Sequence, residues 1–270
     1  MIPAAFEYRR AGSVDEAIEL LGSDEEAKIL AGGHSLIPLM RLRFARPTLL
    51  VDIGRLDELR YVRREDGHIA IGALTRHAQL AADPTLAQSC APIASAAAHV
   101  GDPQVRHRGT IGGSVAHGDP ASDLAAILLT LGAGLVVRGP SGERTVAATE
   151  FFTGMFATAL GQQDVLTEIR VPVVAGGNYL KHTRRTQDWA TVGVAAARVD
   201  GRLQVGLTNM GTTPLRARSV EDAVAGGASP AEAAEHAADG TAPRSDVSAS
   251  ADYRRHLARV LVRRALEAEG

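Results

Sequence analysis

Apolar positions along this chain change period several times, and each change predicts an element. Val14, Ala17, Ile18 and Leu21 recur at the three-and-four spacing of a helix buried on one face; Ser13 with Glu16 forms a capping box at its start, and Gly22 ends it. Residues 27–31 then read as a strand running into Gly32 and Gly33, and residues 49–53 as a second strand behind Pro47. Between 69–72 and 145–146, short strand candidates are mixed with alanine-rich helical segments at 93–99 and 124–131. This is an α+β pattern.

Proline and glycine cluster at 172–177 and separate this part from a new run of strands, so the expected domains are 1–175 and 176–270. Residues 191–199 and 202–209 are joined by Asp200-Gly201, a dipeptide that tolerates the positive φ angles of a tight turn, which predicts an antiparallel hairpin. Ser229, Pro230 and Glu232 mark a helix start with a cap, a first-position proline and a reciprocal acid. A last helix is expected over 251–267, with Tyr253, Leu257, Val260 and Leu261 on one face.

Composition narrows the class. A chain of 270 residues that is 45% hydrophobic is long enough for one or two domains with a sizeable core, which excludes a disordered or fibrous protein. Its 29 basic and 31 acidic residues leave a net charge of −2, so no global field favours nucleic acid or an anionic membrane. The longest apolar stretch, 124–137, is broken by Thr130, Gly132 and Gly134 and falls short of the roughly 20 residues of a membrane span. The N-terminus lacks the basic start and unbroken apolar run of a signal peptide, so a cytoplasmic location is expected. Cys90 is the only cysteine, which excludes an internal disulfide, a cysteine-ligated zinc and an iron–sulfur cluster held by this chain, since a cluster needs about four thiolates.

Two glycine-rich segments are the candidate chemistry. Leu30, Ala31, Gly32, Gly33, His34, Ser35 and Leu36 follow a strand directly, and paired glycines let backbone N–H groups turn toward a phosphate or diphosphate. The same residues also read as an ordinary strand-to-helix turn. The second segment is Gly109, Thr110, Ile111, Gly112, Gly113 and Ser114, with Asp119 and Asp123 close behind; Asp123 also reads as the cap of a helix beginning at Leu124. Neither segment has the GxxxxGK[ST] of a P-loop or the GxGxxG of a dinucleotide-binding βαβ unit. His107, His117, Asp119 and Asp123 are close in sequence but lack helical HxxxH spacing, which argues against a metal site, and no Ser-His-Asp arrangement or catalytic carboxylate pair is visible.

Five motifs in order, Ala31-Gly-Gly-His-Ser35, Ile71-Gly-Ala-Leu-Thr75, Asp102-Pro-Gln-Val-Arg106, Arg108-Gly-Thr-Ile-Gly-Gly-Ser114 and His117-Gly-Asp-Pro120, resemble the FAD-binding medium subunit of molybdenum hydroxylases, the family of aerobic carbon monoxide dehydrogenase and xanthine dehydrogenase. The likeness continues through Phe151-Phe152, Glu168-Ile-Arg-Val-Pro172, Asp188-Trp-Ala190 and Gly206-Leu-Thr-Asn209 to Ser250-Ala-Asp-Tyr-Arg-Arg255 and Leu261-Val-Arg-Arg-Ala265. The resemblance implies a vanillyl-alcohol-oxidase-type (PCMH) fold, two small α+β subdomains of about 1–55 and 56–175 with FAD between them, then a C-terminal domain with an antiparallel sheet and helices. It implies that Ala31 to Ser35 and Thr110 to Ser114 hold the FAD pyrophosphate and neighbouring atoms. Leu30, Leu36, Ala73, His77, Asp119, Asp123, Ile169, Lys181 and Trp189 are placed around the cofactor on the same ground. His77 follows Thr75, a possible helix cap, and also reads as a surface helix residue. Lys181, one of two lysines with Lys28, would put a cation at the N1/C2=O edge of the flavin, where reduced flavin gathers negative charge, or would be a solvated strand-end residue. Trp189, the only tryptophan, would lie by the isoalloxazine ring or in the core.

The implied activity is electron transfer within a larger enzyme. A molybdopterin-binding large subunit oxidises substrate, a small subunit with 2Fe-2S clusters relays electrons to FAD on this chain, and the usual assembly is a dimer of such heterotrimers. No NAD signature is present, which favours a quinone or another carrier as acceptor. Two rival readings stay open: a free-standing flavin oxidase or reductase with its own small substrate, and an interaction protein that keeps the fold without flavin.

Overall fold

The computed structural model describes residues 2–269. Its first layer is a parallel sheet. Strand β1 (Glu7–Arg10) leads into helix α1 (Val14–Gly22), strand β2 (Lys28–Leu30), helix α2 (Leu36–Arg41) and strand β3 (Leu49–Asp52), and the strands lie in the order β1-β3-β2. Val14, Ala17, Ile18 and Leu21 of α1 are buried against this sheet as the spacing predicts. The capping box is only half formed. Ser13 accepts the Glu16 N–H at 3.1 Å, but the Glu16 carboxylate reaches past Ser13 to the Gly12 N–H at 2.6 Å.

The second layer begins with β4 (Val62–Glu65) and β5 (His68–Gly72). Six short helices follow: α3 (His77–Ala82), α4 (Pro84–Ser89), α5 (Ala91–Ala98), α6 (Pro103–Arg108), α7 (Ile111–His117) and α8 (Asp123–Thr130). The chain returns through β6 (Gly134–Gly139), β7 (Gly142–Ala147), α9 (Ala148–Phe151), the hairpin β8 (Phe152–Gly154) and β9 (Ala157–Thr158), and β10 (Val165–Pro172). Strands β4-β5-β10-β6-β7 form an antiparallel sheet whose apolar face packs on α5, α7 and α8. Thr75 does not cap α3. Its hydroxyl donates to the Tyr61 carbonyl at 2.9 Å, tying the strand end down, and Arg76 is the cap residue.

The C-terminal part has β11 (Asn178–His182), β12 (Val192–Val199), β13 (Arg202–Thr208) and β14 (Leu215–Arg216) in one antiparallel sheet, with α10 (Arg218–Ala225), α11 (Pro230–Ala234) and α12 (Ala251–Glu267). Asp200 and Gly201 adopt φ of 50° and 76°, the positive values of the expected tight turn. Ser229 and Glu232 form a complete capping box. Strand β12 is apolar on both faces because both are covered: Ala195 and Ala197 join the core under α8, while Val192, Val194 and Ala196 meet α12. At Gly206 of β13 a Cβ would run into Thr130 Oγ1 and come within 2.6 Å of the Ala126 carbonyl, so backbone packs directly on α8. That helix therefore links the two parts and carries Asp123 toward the site.

The face predicted for α12 is rotated. Leu257, Ala258, Leu261, Val262 and Ala265 are buried, but Tyr253 is exposed, edge-on to His182, and Val260 is only half-buried. Arg254 takes the buried position because each of its guanidinium nitrogens has an acceptor: Nη2 pairs with Asp246 at 2.6 Å, Nε donates to the Arg244 carbonyl at 3.0 Å, and Nη1 donates to the Thr191 carbonyl. Replacing it strips the Arg244 carbonyl of this donor, leaves the buried Thr191 carbonyl only the long 3.4 Å bond from Asn209 Nδ2, and unpairs Asp246. Arg254→Ala is expected to cost about 2–4 kcal/mol, a fall in Tm of roughly 5–15 °C by thermal unfolding; a fall below 2 °C would show the side chain to be passive.

Candidate functional site

A cleft of about 680 Å³ opens between the two layers and is closed on its third side by β11 and the loop that follows it. Gly33, at φ +79°, turns the chain from β2 into α2, a conformation L side chains rarely adopt. Among the described residues, the N–H groups of Gly32, Gly33, His34 and Ser35 meet no protein acceptor, and all four residues line the cleft. Successive unpaired amides in a turn form a concave, electropositive nest suited to a phosphate oxygen. The His34 ring Nδ1 lies 3.3 Å from the Gly32 carbonyl and closes the turn on itself.

The second glycine segment works differently. Its amides are already used: Ile111 N–H donates to the Thr75 carbonyl, Gly112 N–H to the Ala73 carbonyl and Gly113 N–H to Thr110 Oγ1, at 3.0, 2.9 and 3.1 Å. A Cβ at Gly112 would approach Ala73 Cβ to 2.5 Å. A Cβ at Gly32 would strike the Arg108 carbonyl oxygen and come within 2.9 Å of Gly109 Cα. The glycines thus serve first to let the two segments and the end of β5 lie backbone on backbone. The open cradle belongs to the first segment, and the second forms the wall that holds it in place, with Ser114 Oγ 3.0 Å from Ser122 Oγ.

At the far wall sits a buried charge cluster. Lys181 Nζ donates to Asp123 Oδ2 at 2.8 Å and to the His99 carbonyl at 3.0 Å, and the Tyr179 hydroxyl donates to Asp123 Oδ1 at 2.6 Å. Both charged side chains are 4% exposed, so their attraction is weakly screened. Burial pushes the Asp123 carboxyl up and the Lys181 cation opposes it; the same burial, beside that carboxylate, drives the Tyr179 hydroxyl well above its usual value. Asp123 is therefore not a helix cap. Ser122 is the cap residue of α8, and the carboxylate turns into the interface instead. Lys181 is likewise no solvated strand end, and its charge is shared with Asp123.

His77 is 3% exposed, not a surface residue, and it lines the cleft with its Nδ1 unpartnered. Burial, with the Arg106 and Arg76 charges adding to it, pushes its imidazole down to about 4. Asp119 lines the cleft, bonded to the Ala121 N–H and pushed up by burial. Trp189 is half exposed at the cleft edge and no part of the core. Ala31, Leu36, Ala73, Thr110, Gly112, Gly113 and Ser114 also line the cleft. Leu30, Ile111 and Ile169 do not. Ile111 and Ile169 are fully buried in the core between α7 and the antiparallel sheet, and the residues of β10 that do reach the cleft are Val165 and Leu166. Lys28, Val100, Phe156, Leu160 and Gln162 also line it without having been singled out from the sequence, because strand β2, the turn after α5, the β8–β9 turn and the loop before β10 meet only in the folded chain; His117, part of the His117–Pro120 motif, joins them. The four open amides, the unpartnered His77 nitrogen and a volume of about 680 Å³ fit a dinucleotide with a diphosphate.

Residues 4–174 match the family described as the FAD binding domain in molybdopterin dehydrogenase, and residues 178–268 match the carbon monoxide dehydrogenase flavoprotein C-terminal domain. The chain is 43% identical over 281 residues to the carbon monoxide dehydrogenase medium chain of Hydrogenophaga pseudoflava, covering 99% of this chain and 98% of that one. A solved carbon monoxide dehydrogenase of that organism superposes with a TM-score of 0.96 at 44% identity, covering 99% of this chain and 98% of that one. The quinoline 2-oxidoreductase of Pseudomonas putida 86 gives 0.94 at 32% identity, with the same coverage. Fold and cleft thus define a PCMH-type flavin-binding oxidoreductase subunit. The chain belongs to the FAD-binding medium subunits of the molybdopterin dehydrogenases.

Two outcomes are expected. Gly32→Val forces the glycine segments apart and abolishes FAD retention, read as the flavin-to-protein absorbance ratio, while Gly176→Val, at an exposed position with room for a side chain and an ordinary φ, keeps it; flavin retained in Gly32→Val would remove the loop contact from the site. For His77, the unfolded chain binds a proton near 6.5 that the folded one refuses until about 4, so stability falls as pH drops through that window. Denaturant titrations should show wild type losing about 3 kcal/mol more than His77→Gln between pH 7 and 4; parallel curves would show the imidazole free to protonate.

Proposed function

We propose that this chain is the flavin relay of a three-subunit molybdenum hydroxylase. It takes electrons from 2Fe-2S clusters on a small partner subunit, after substrate oxidation on a molybdopterin-binding large subunit, and passes them to an external acceptor. The observation that supports this most directly is the open amide cradle of Gly32 to Ser35 lining the cleft. Bound FAD supplies acceptance of one electron at a time and release of two. The chain's own residues bind and orient: Gly32 to Ser35 present amides to the diphosphate, and the Asp123–Lys181 pair with Trp189 borders the flavin ring.

Cys90 agrees with a relay role, since it is buried and its thiol is pushed up to about 12, leaving cluster ligands to a partner. The family's subunits serve enzymes named for carbon monoxide, nicotine and caffeine, which supports substrate choice by the large subunit. No helix of the described residues is long and apolar enough to cross a membrane, and a cytoplasmic dimer of heterotrimers is the proposed assembly. The test is to purify the chain alone and co-expressed with its neighbouring genes, identifying released cofactors by mass. Flavin alone in the first, joined by iron–sulfur and molybdopterin in the second, is the expected result. A yellow chain that takes no partner and turns over a substrate unaided would establish a free-standing oxidase or reductase instead.

A further inference from the structure

Phe156 stands out on the cleft wall. It is 56% exposed, and it occupies the two-residue turn between β8 and β9 at φ +55°, a backbone region that disfavours a large side chain. The turn is held from three sides. The Phe156 N–H donates to the Gly118 carbonyl at 3.0 Å, Gly118 lies against Ala157 and Thr158 with φ +65°, and Arg244 Nη1 touches Met155 Sδ at 3.3 Å from the C-terminal part. The ring then packs on His117, centroids 5.1 Å apart, and both residues face the cleft. Burial holds the His117 imidazole below its usual value, so this aromatic shelf is uncharged near neutrality.

Its position follows from the contacts around it. Helix α7 passes the cradle at Gly113, whose Cβ position would lie 3.8 Å from Ala31 Cβ, and ends four residues later at His117, about 6 Å further along its axis. From there Gly118 and Asp119 lead to Pro120, whose carbonyl accepts the Asn209 N–H at 2.9 Å, while Asn209 Nδ2 donates to the carbonyl of Ala190, beside Trp189. The shelf therefore lies about a ribityl chain's length from the diphosphate cradle, on the side of Trp189 and the Asp123–Lys181 pair. An adenine site is less well served there, because the pair's polar atoms suit the hydrogen-bonding edge of a flavin.

We propose that Phe156, backed by His117, is a stacking platform for the isoalloxazine ring of FAD, and that the turn tolerates its strained backbone in order to hold that ring. The proposal rests on the FAD reading and adds to it the residue that grips the flavin end. Stacking of an aromatic side chain on a heteroaromatic ring predicts that Phe156→Ala weakens FAD binding by about tenfold.

The full-length chain, stripped of flavin, is titrated separately with FAD, FMN and ADP, and visible circular dichroism of the bound flavin is recorded. In Phe156→Ala, FAD and FMN affinities should both fall about tenfold and the dichroism change, with ADP affinity unchanged; Phe156→Tyr should restore both. Phe156→Gly should show the same flavin loss with no fall in Tm, because glycine is at ease at that φ. A variant that loses ADP and not FMN would place adenine on the shelf and overturn the assignment. Unchanged affinities, or a Tm fall of the size a core deletion gives, would also overturn it. Failure of wild type to bind FAD at all would instead break the reading on which the proposal stands.

Discussion

The site depends on one contact with no room in it: the backbone at Gly32 lying on the carbonyl of Arg108. The two segments come from different layers, one leaving a parallel strand and the other a helix of the antiparallel layer, and only a missing side chain lets them touch. Once they touch, the turn at Gly33 has a fixed backing, and its amides, on residues that line the cleft, have no protein acceptor among the described residues. Fixed, unpaired N–H groups are what make an anion site strong, because no protein hydrogen bond must be broken when the ligand arrives. The second segment provides that fixity by spending its own amides on Thr75, Ala73 and Thr110.

The buried pair of Asp123 and Lys181 plays the corresponding part at the other end. Asp123 rides on α8, Lys181 and Tyr179 on β11, and the second bond of Lys181 goes to the end of α5, so one cluster pins three elements. Buried charges are costly unless paired and fully hydrogen-bonded, which makes the arrangement selective for a single docking geometry of the C-terminal sheet. The consequence for the cofactor is electrostatic. A flavin beside this wall meets a neutralised pair rather than a bare cation.

Elements set by local pattern were readable in advance. The last helix, the Asp200-Gly201 hairpin and the capping box at Ser229 depend on neighbours a few residues away, and they stand where the periodicity puts them. The differences arise where a partner other than the one the local rule names offered a better bond, four residues away for Glu16 and eight or more for Thr75 and Arg254. Glu16 found Gly12, Thr75 found Tyr61, and Arg254 displaced Tyr253 from the buried face because Asp246 and two carbonyls were waiting for it. Ile169 has the apolar character of a cleft residue, but the alternation along β10 turns it into the core.

By itself the sequence determined the class of protein: an α+β flavin subunit with two glycine segments, no cysteines for clusters and no span for a membrane. These are properties of residue type and order, which survive without coordinates. Which glycine segment keeps its amides free and which spends them on protein acceptors, that Lys181 is paired with Asp123, and that His117 and Phe156 share a wall were decided by tertiary structure alone. The physical reason is that each is a contact across tens of residues, fixed by how whole layers pack and by where a buried donor finds its acceptor.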